Sequence, residues 1–81
     1  MAKKLSEYSI GESGTIYKVL GEGAIRRRLF DMGLTPGAKV YLRKTAPLGD
    51  PIEINIRGYE LTLRKAEAAF VEMKEEEGAR D

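Results

Sequence analysis

The run Arg26-Arg27-Arg28-Leu29-Phe30-Asp31-Met32-Gly33-Leu34-Thr35-Pro36-Gly37 constrains this chain more than any other. Ile25, Leu29 and Met32 recur at i, i+4 and i+7 and so line one face of a short amphipathic helix. Gly33 comes directly after the last periodic residue. Glycine takes the left-handed C′ position without a Cβ clash, and Leu34 then folds back onto the last helical turn. Pro36 presets φ for the second position of a tight turn, and Gly37 supplies a positive φ at the third. Most of the chain beyond Gly37 alternates like β-sheet, so the helix is expected to plug a small barrel.

Thr15 to Leu20 reads as the first strand. It is β-branched and aromatic, but Ile16 and Val19 have opposite parity; a bulge near Tyr17 or Lys18 would turn both inward. Gly21-Glu22-Gly23 ends the strand and admits a helix from Ala24 to Met32, with Arg26 and Phe30 together, away from the buried stripe. Ala38 to Thr45 is a second strand, with Val40 and Leu42 on one side and Lys39, Tyr41 and Arg43 on the other. Ala46 to Pro51 is a breaker cluster. Ile52 to Arg57 alternates most cleanly, with its three isoleucines on one face. Gly58-Tyr59 reads as a two-residue hairpin loop with the II′ preference, returning through Leu61 and Leu63 to Arg64. Lys65 to Ala68 suits one helical turn, and Phe70 to Met73 a last short strand.

The expectation is a single domain over residues 1–81, with its core at about 5–73, a loose segment Met1 to Lys4 and a flexible tail 74–81. It is mainly β: a small SH3-like five-stranded barrel with one short α-helix and one helical turn. An OB-type barrel ranks second because its strands are usually longer.

Composition excludes much chemistry. Without cysteine or histidine there are no disulfides, no thiolate or imidazole metal ligands, and no Ser-His or Cys-His nucleophile. The glycines near 11–14 and 21–23 lack the phosphate-loop pattern. Glu75-Glu76-Glu77 could hold a hard cation only loosely, and a solvated tail is the stronger reading. The reading is therefore not an enzyme, with no catalytic residue, no intrinsic cofactor, no assigned metal ligand, and at most a weak divalent metal association. No apolar run approaches the roughly 20 residues of a membrane helix, and the N-terminus lacks a signal-peptide core, so a cytoplasmic location is expected.

Charge is uneven: residues 1–45 carry nine Lys/Arg against four Asp/Glu, and residues 46–81 carry five against nine. Consecutive arginines fan around a helix by about 100° each, so Arg26, Arg27 and Arg28 cannot all face one ligand. Only Tyr41 and Tyr59 could stack bases on the sheet, so nucleic acid is not expected as a partner.

Three motifs stand in order along the chain: Arg27 to Gly37, then Ala46-Pro47-Leu48-Gly49-Asp50-Pro51, then Gly58 to Ala68. Together they resemble the FeoA domain, with the likeness running from about Leu5 to Met73. The resemblance implies an SH3-like barrel and a small cytosolic accessory protein of ferrous iron uptake. Its partner would be the cytosolic part of FeoB, a membrane transporter, so membrane association would be indirect. A stand-alone regulatory module of a metal-dependent repressor and a small nucleic-acid-binding barrel are the alternatives. The docking surface expected for an adaptor is the helix face with Arg26 and Phe30 together with the loop tip from Leu48 to Asp50; an apolar anchor beside an arginine is typical of interface hot spots.

Overall fold

Ile16 and Val19 both reach the core because the first strand carries an extra residue. In the computed structural model, which describes residues 3–74, Ile16 pairs with Met73 and Lys18 with Glu72, so Tyr17 bulges outward between them. The elements are a 3-10 turn at Leu5–Glu7, then β1 (Ser13–Val19), α1 (Gly23–Asp31), β2 (Lys39–Thr45), β3 (Ile52–Ile56), β4 (Tyr59–Leu63), α2 (Lys65–Ala68) and β5 (Val71–Met73). The strands form one antiparallel sheet in the order β4-β3-β2-β1-β5. This is the mainly β, five-stranded architecture with a short helix that the sequence implies. A second bulge, at Arg43, lies between the pairs Leu42–Ile54 and Lys44–Glu53.

Alternation supplies the core. Val40 and Leu42 of β2, Ile52, Ile54 and Ile56 of β3, and Leu63 of β4 are all buried on one side of the sheet. Each such aliphatic side chain contributes about 1.5–3 kcal/mol relative to exposure. Leu29 and Leu34 close the same core from α1 and the segment after it.

The end of α1 is a Schellman turn. Gly33 N–H donates to Phe30 C=O at 2.9 Å and Leu34 N–H to Leu29 C=O at 3.1 Å, with Gly33 at φ +97°. Leu34 is thereby driven into the core. Ala38 N–H then closes the Thr35-Pro36-Gly37 turn onto Thr35 C=O at 3.1 Å. The β3–β4 hairpin grips this corner: Tyr59 Oη donates to Met32 C=O at 2.6 Å, and Arg57 Nη2 donates to Thr35 Oγ1 at 2.6 Å.

Several details depart from the sequence reading. The hairpin loop is Arg57-Gly58, not Gly58-Tyr59. Ile56 pairs with Tyr59, and both loop residues have positive φ, +53° and +88°, as in a type I′ turn. Arg57 holds this left-handed conformation while its side chain is fixed on the corner after α1.

The inward side of α1 is also rotated. Leu29 is buried, Phe30 and Met32 are partly buried against the core, and Ile25 is 45% exposed. Only the C-terminal part of this nine-residue helix lies on the sheet; Ile25, near its start, lies beside Gly21.

Lys3 and Lys4 are not loose. Met73 N–H donates to Lys3 C=O at 2.8 Å, and Lys4 bridges Glu72. The N-terminal segment thus covers the outer edge of the three-residue β5, and β4 and β5 end an open ribbon instead of closing on each other. Of the tail expected at 74–81, Lys74 donates its N–H to Thr15 C=O at 2.8 Å, whereas residues 75–81 lie outside the described residues.

Gly33→Ala is expected to lower stability by about 2 kcal/mol or more. Its φ is left-handed, and the new Cβ would stand 2.5 Å from Tyr59 Oη, breaking that hydroxyl's bond. Gly37→Ala meets open space and should cost only the conformational part, about 1–2 kcal/mol. Urea denaturation of both variants checks the difference.

A pH dependence arises from Glu12. Burial would raise its pKa, but the Lys3 ammonium at 2.7 Å and the Ser9 N–H at 2.8 Å outweigh that and hold it below the usual glutamate range. This contribution is present above the unfolded-state pKa and is lost as pH falls through the lower folded-state value. Denaturation midpoints should decline across that acidic window, and less so in Glu12→Gln.

Candidate functional site

The three consecutive arginines do three different things. Arg26 donates from Nε to Val19 C=O at 3.3 Å, and its guanidinium lies over the Phe30 ring, 4.7 Å from the centroid. Such a cation–π contact contributes about 0.5–1 kcal/mol at an exposed site. Arg28 reaches across to α2 and pairs with Glu67 at 2.7 Å. Arg27 is exposed and, among the described residues, makes no ion pair. Gly23, Arg26, Arg27 and Phe30 line an open depression of about 280 Å³. Phe30 therefore has two roles: it packs against the core and carries a cation on its other face.

The loop between β2 and β3 is pinned by its own backbone. Gly49 N–H donates to Ala46 C=O at 2.7 Å, and Ala46 N–H to Pro51 C=O at 2.9 Å. The turn these bonds close holds Leu48 out, 95% exposed. Asp50 turns the other way: its Oδ1 accepts the N–H of Lys65, the first residue of α2, at 2.9 Å. An acidic oxygen at that place satisfies one of the amide donors a helix start leaves open.

The structure thus brings Arg26 to Phe30 and sets Leu48 beside an Asp50 that is tied to α2. The two pairs are linked through α2, which receives Asp50 at Lys65 and Arg28 at Glu67. Sequence reasoning missed the exposure of Ile25 beside this face, and it missed the helix-capping work of Asp50, fifteen positions from its partner.

Among the described residues, no three acidic, histidine or cysteine side chains converge in a way that could hold a metal ion. No helix among them is long and apolar enough to cross a membrane. What the surface offers is one large apolar side chain on a stiff loop and a cation stacked on an aromatic ring.

Comparison with known proteins matches residues 3–75 to the model of the FeoA domain family. A fusion of Fe(2+) transport protein A with the Fe(2+) transporter FeoB from Porphyromonas gingivalis is 35% identical over 71 residues. That alignment takes in 88% of this chain and 8% of the fusion protein, so the chain spans a small part of that relative. A FeoA-like protein from Clostridium acetobutylicum superimposes with a TM-score of 0.85 at 36% identity, covering 90% of this chain and 85% of that one. The FeoA of Stenotrophomonas maltophilia, solved with zinc and described as a prokaryotic SH3 domain protein, superimposes with a TM-score of 0.78 at 28% identity. It covers 90% of this chain and 91% of that one. The likeness thus extends over nearly the whole described fold, including the helix and both halves of this surface.

Asp50→Ala should cost about 1 kcal/mol by uncapping α2, while Leu48→Ser should stay within about 0.5 kcal/mol of the parent. Thermal denaturation followed by circular dichroism separates the two.

Proposed function

The chain belongs to the FeoA domain family, which is associated with ferrous iron transport, and from that premise we propose that it is an accessory protein of ferrous iron uptake that docks on the cytosolic part of a FeoB-type transporter. The observation that carries this reading is the Porphyromonas gingivalis fusion, in which a homologous domain shares one polypeptide with FeoB. Covalent fusion holds one module at a high effective concentration around the other, which favours contact between them.

The docking face in this reading is the outer side of α1 with Arg26 and Phe30, together with Leu48 and its loop. Leu48 is the apolar anchor that a partner pocket would bury; covering a leucine fully contributes about 1.5–3 kcal/mol. Arg26 adds a planar cation already oriented by Phe30 and by the Val19 carbonyl, so little rotamer freedom remains to be lost on binding. Asp50 serves the same surface indirectly, by holding the Leu48 loop against α2. In this reading the protein works by contact: it carries no cofactor, performs no catalysis and does not ferry iron, because it has neither imidazole nor thiolate ligands.

The test is a pull-down with the cytosolic part of a FeoB-type transporter. Phe30→Glu would disturb the core as well as the surface, so Leu48→Glu and Arg26→Glu are the cleaner variants. Leu48→Glu is expected to weaken capture at least tenfold with the fold retained, and Arg26→Glu severalfold. Undiminished capture by both would place the docking face elsewhere.

A further inference from the structure

The outer face of the sheet divides into two ends of different electrostatic character. At one end the cations are neutralised: Arg43 reaches Glu60 at 2.8 Å and Glu53 at 3.7 Å, and Lys44 lies 3.9 Å from Glu53. At the other end lies an open groove of about 490 Å³ containing Lys39 and Arg57 and no acidic side chain. In a chain with 13 Asp/Glu against 14 Lys/Arg, a wall of this size lined only by bases and neutral groups is a local excess of positive charge. Lys39 makes no ion pair among the described residues.

The strand register places the groove's side chains in two parallel rows. Ser13 pairs with Tyr41, Tyr41 with Asn55 and Asn55 with Glu60, so a hydroxyl, a phenol ring and an amide run across β1, β2 and β3 and end on β4 at the carboxylate that Arg43 already neutralises. One step along, Thr15 pairs with Lys39, and the Val40–Ile56 pair sets Arg57 beyond the end of β3 on the Lys39 side. The rows are two residues apart along β2, about 7 Å. One row thus carries the cations, and the other carries an aromatic ring that is 45% exposed.

Arg57 is also held in advance. Its Nη2 donates to Thr35 Oγ1 at 2.6 Å and its Nε reaches the Gly33 carbonyl at 3.4 Å, which anchors the guanidinium at the groove's edge. A guanidinium fixed in this way loses little freedom when it meets an anion.

We propose that this groove binds a small organic anion in which a phosphate or carboxylate is joined to a flat apolar group, the anion between Lys39 and Arg57 and the flat group on Tyr41. The site lies on β1, β2 and β3, apart from the α1 and Leu48 surface, and does not depend on the transporter reading. Planar recognition by the arginine suits either oxyanion, and the phenol face accepts the ring.

The test is residue-resolved NMR titration of the full chain with four probes: inorganic phosphate, phenyl phosphate, benzoate and phenol. Phenyl phosphate should shift the amides of Thr15, Lys39, Tyr41 and Gly58, and should bind several-fold more tightly than inorganic phosphate. Benzoate binding more tightly than phenyl phosphate would assign the site to carboxylates, and weaker binding would assign it to phosphates. Phenol should bind at least tenfold more weakly than the better of the two. Lys39→Glu should weaken phenyl phosphate about tenfold; Tyr41→Ala should reduce it to the level of inorganic phosphate; Lys18→Glu, at the far end of β1, should change nothing. Arg57→Gly keeps the positive φ of the loop and should weaken binding by a similar factor to Lys39→Glu. The proposal is overturned by shifts that cluster on Arg26 to Arg28, by equal effects of Lys18→Glu and Lys39→Glu, or by no saturable shift with either phenyl phosphate or benzoate.

Discussion

The turn that stops α1 holds the rest of the molecule in place. Gly33 leaves the helix in a left-handed conformation, which turns the chain so that Leu34 enters the core and Thr35 to Gly37 lead into β2. Two side chains from the opposite hairpin then close on the same corner: Tyr59 on the Met32 carbonyl and Arg57 on Thr35. A helix of nine residues is marginal in isolation, and here its last turn is held by a buried leucine and by hydrogen bonds from a distant strand. Removing that corner would cost local bonds and also release α1 from the sheet.

The surface properties derive from this seat. The start of α1 is less covered than its end, with Ile25 exposed and Arg26 stacked on Phe30 and bonded to the Val19 carbonyl at the end of β1. Arg28 is close enough to α2 to pair with Glu67, and α2 is capped by Asp50 from the loop that carries Leu48. A run of polar bonds thus connects the arginine–aromatic pair to the exposed leucine. These side chains are held in place by elements whose main work is packing, so a partner that met them would immobilise little that is not already fixed.

Much of the fold was legible because its signals are local. The alternation of Ile52, Ile54 and Ile56 predicts a strand with one buried face, and the opposite parity of Ile16 and Val19 predicts a bulge near Tyr17 or Lys18, which the strand carries at Tyr17. Gly33 after a helical period predicts the C-terminal stop. What escaped depends on partners far along the chain. Arg57 adopts a positive φ next to a corner more than twenty residues away, so the loop looks one residue displaced when only Gly58 is weighed. A helical wheel gives the angles between Ile25, Leu29 and Phe30, but where the sheet ends relative to the helix decides which of them is covered. Lys3 and Lys4 look like tail because nothing in their neighbourhood announces that β5 has an edge to fill. Of the residues proposed to dock, Leu48 is readable as a loop-tip apolar residue, whereas the tie from Asp50 to α2 is not.

Amide hydrogen exchange on the full chain, with and without the cytosolic part of a FeoB-type transporter, tests most directly whether this scaffold presents one docking face. Added protection is expected in residues 24–31 and 46–50, with the β2 and β3 amides unchanged. Protection confined to β1, β2 and β3, with α1 and the Leu48 loop exchanging as in the free protein, would contradict it.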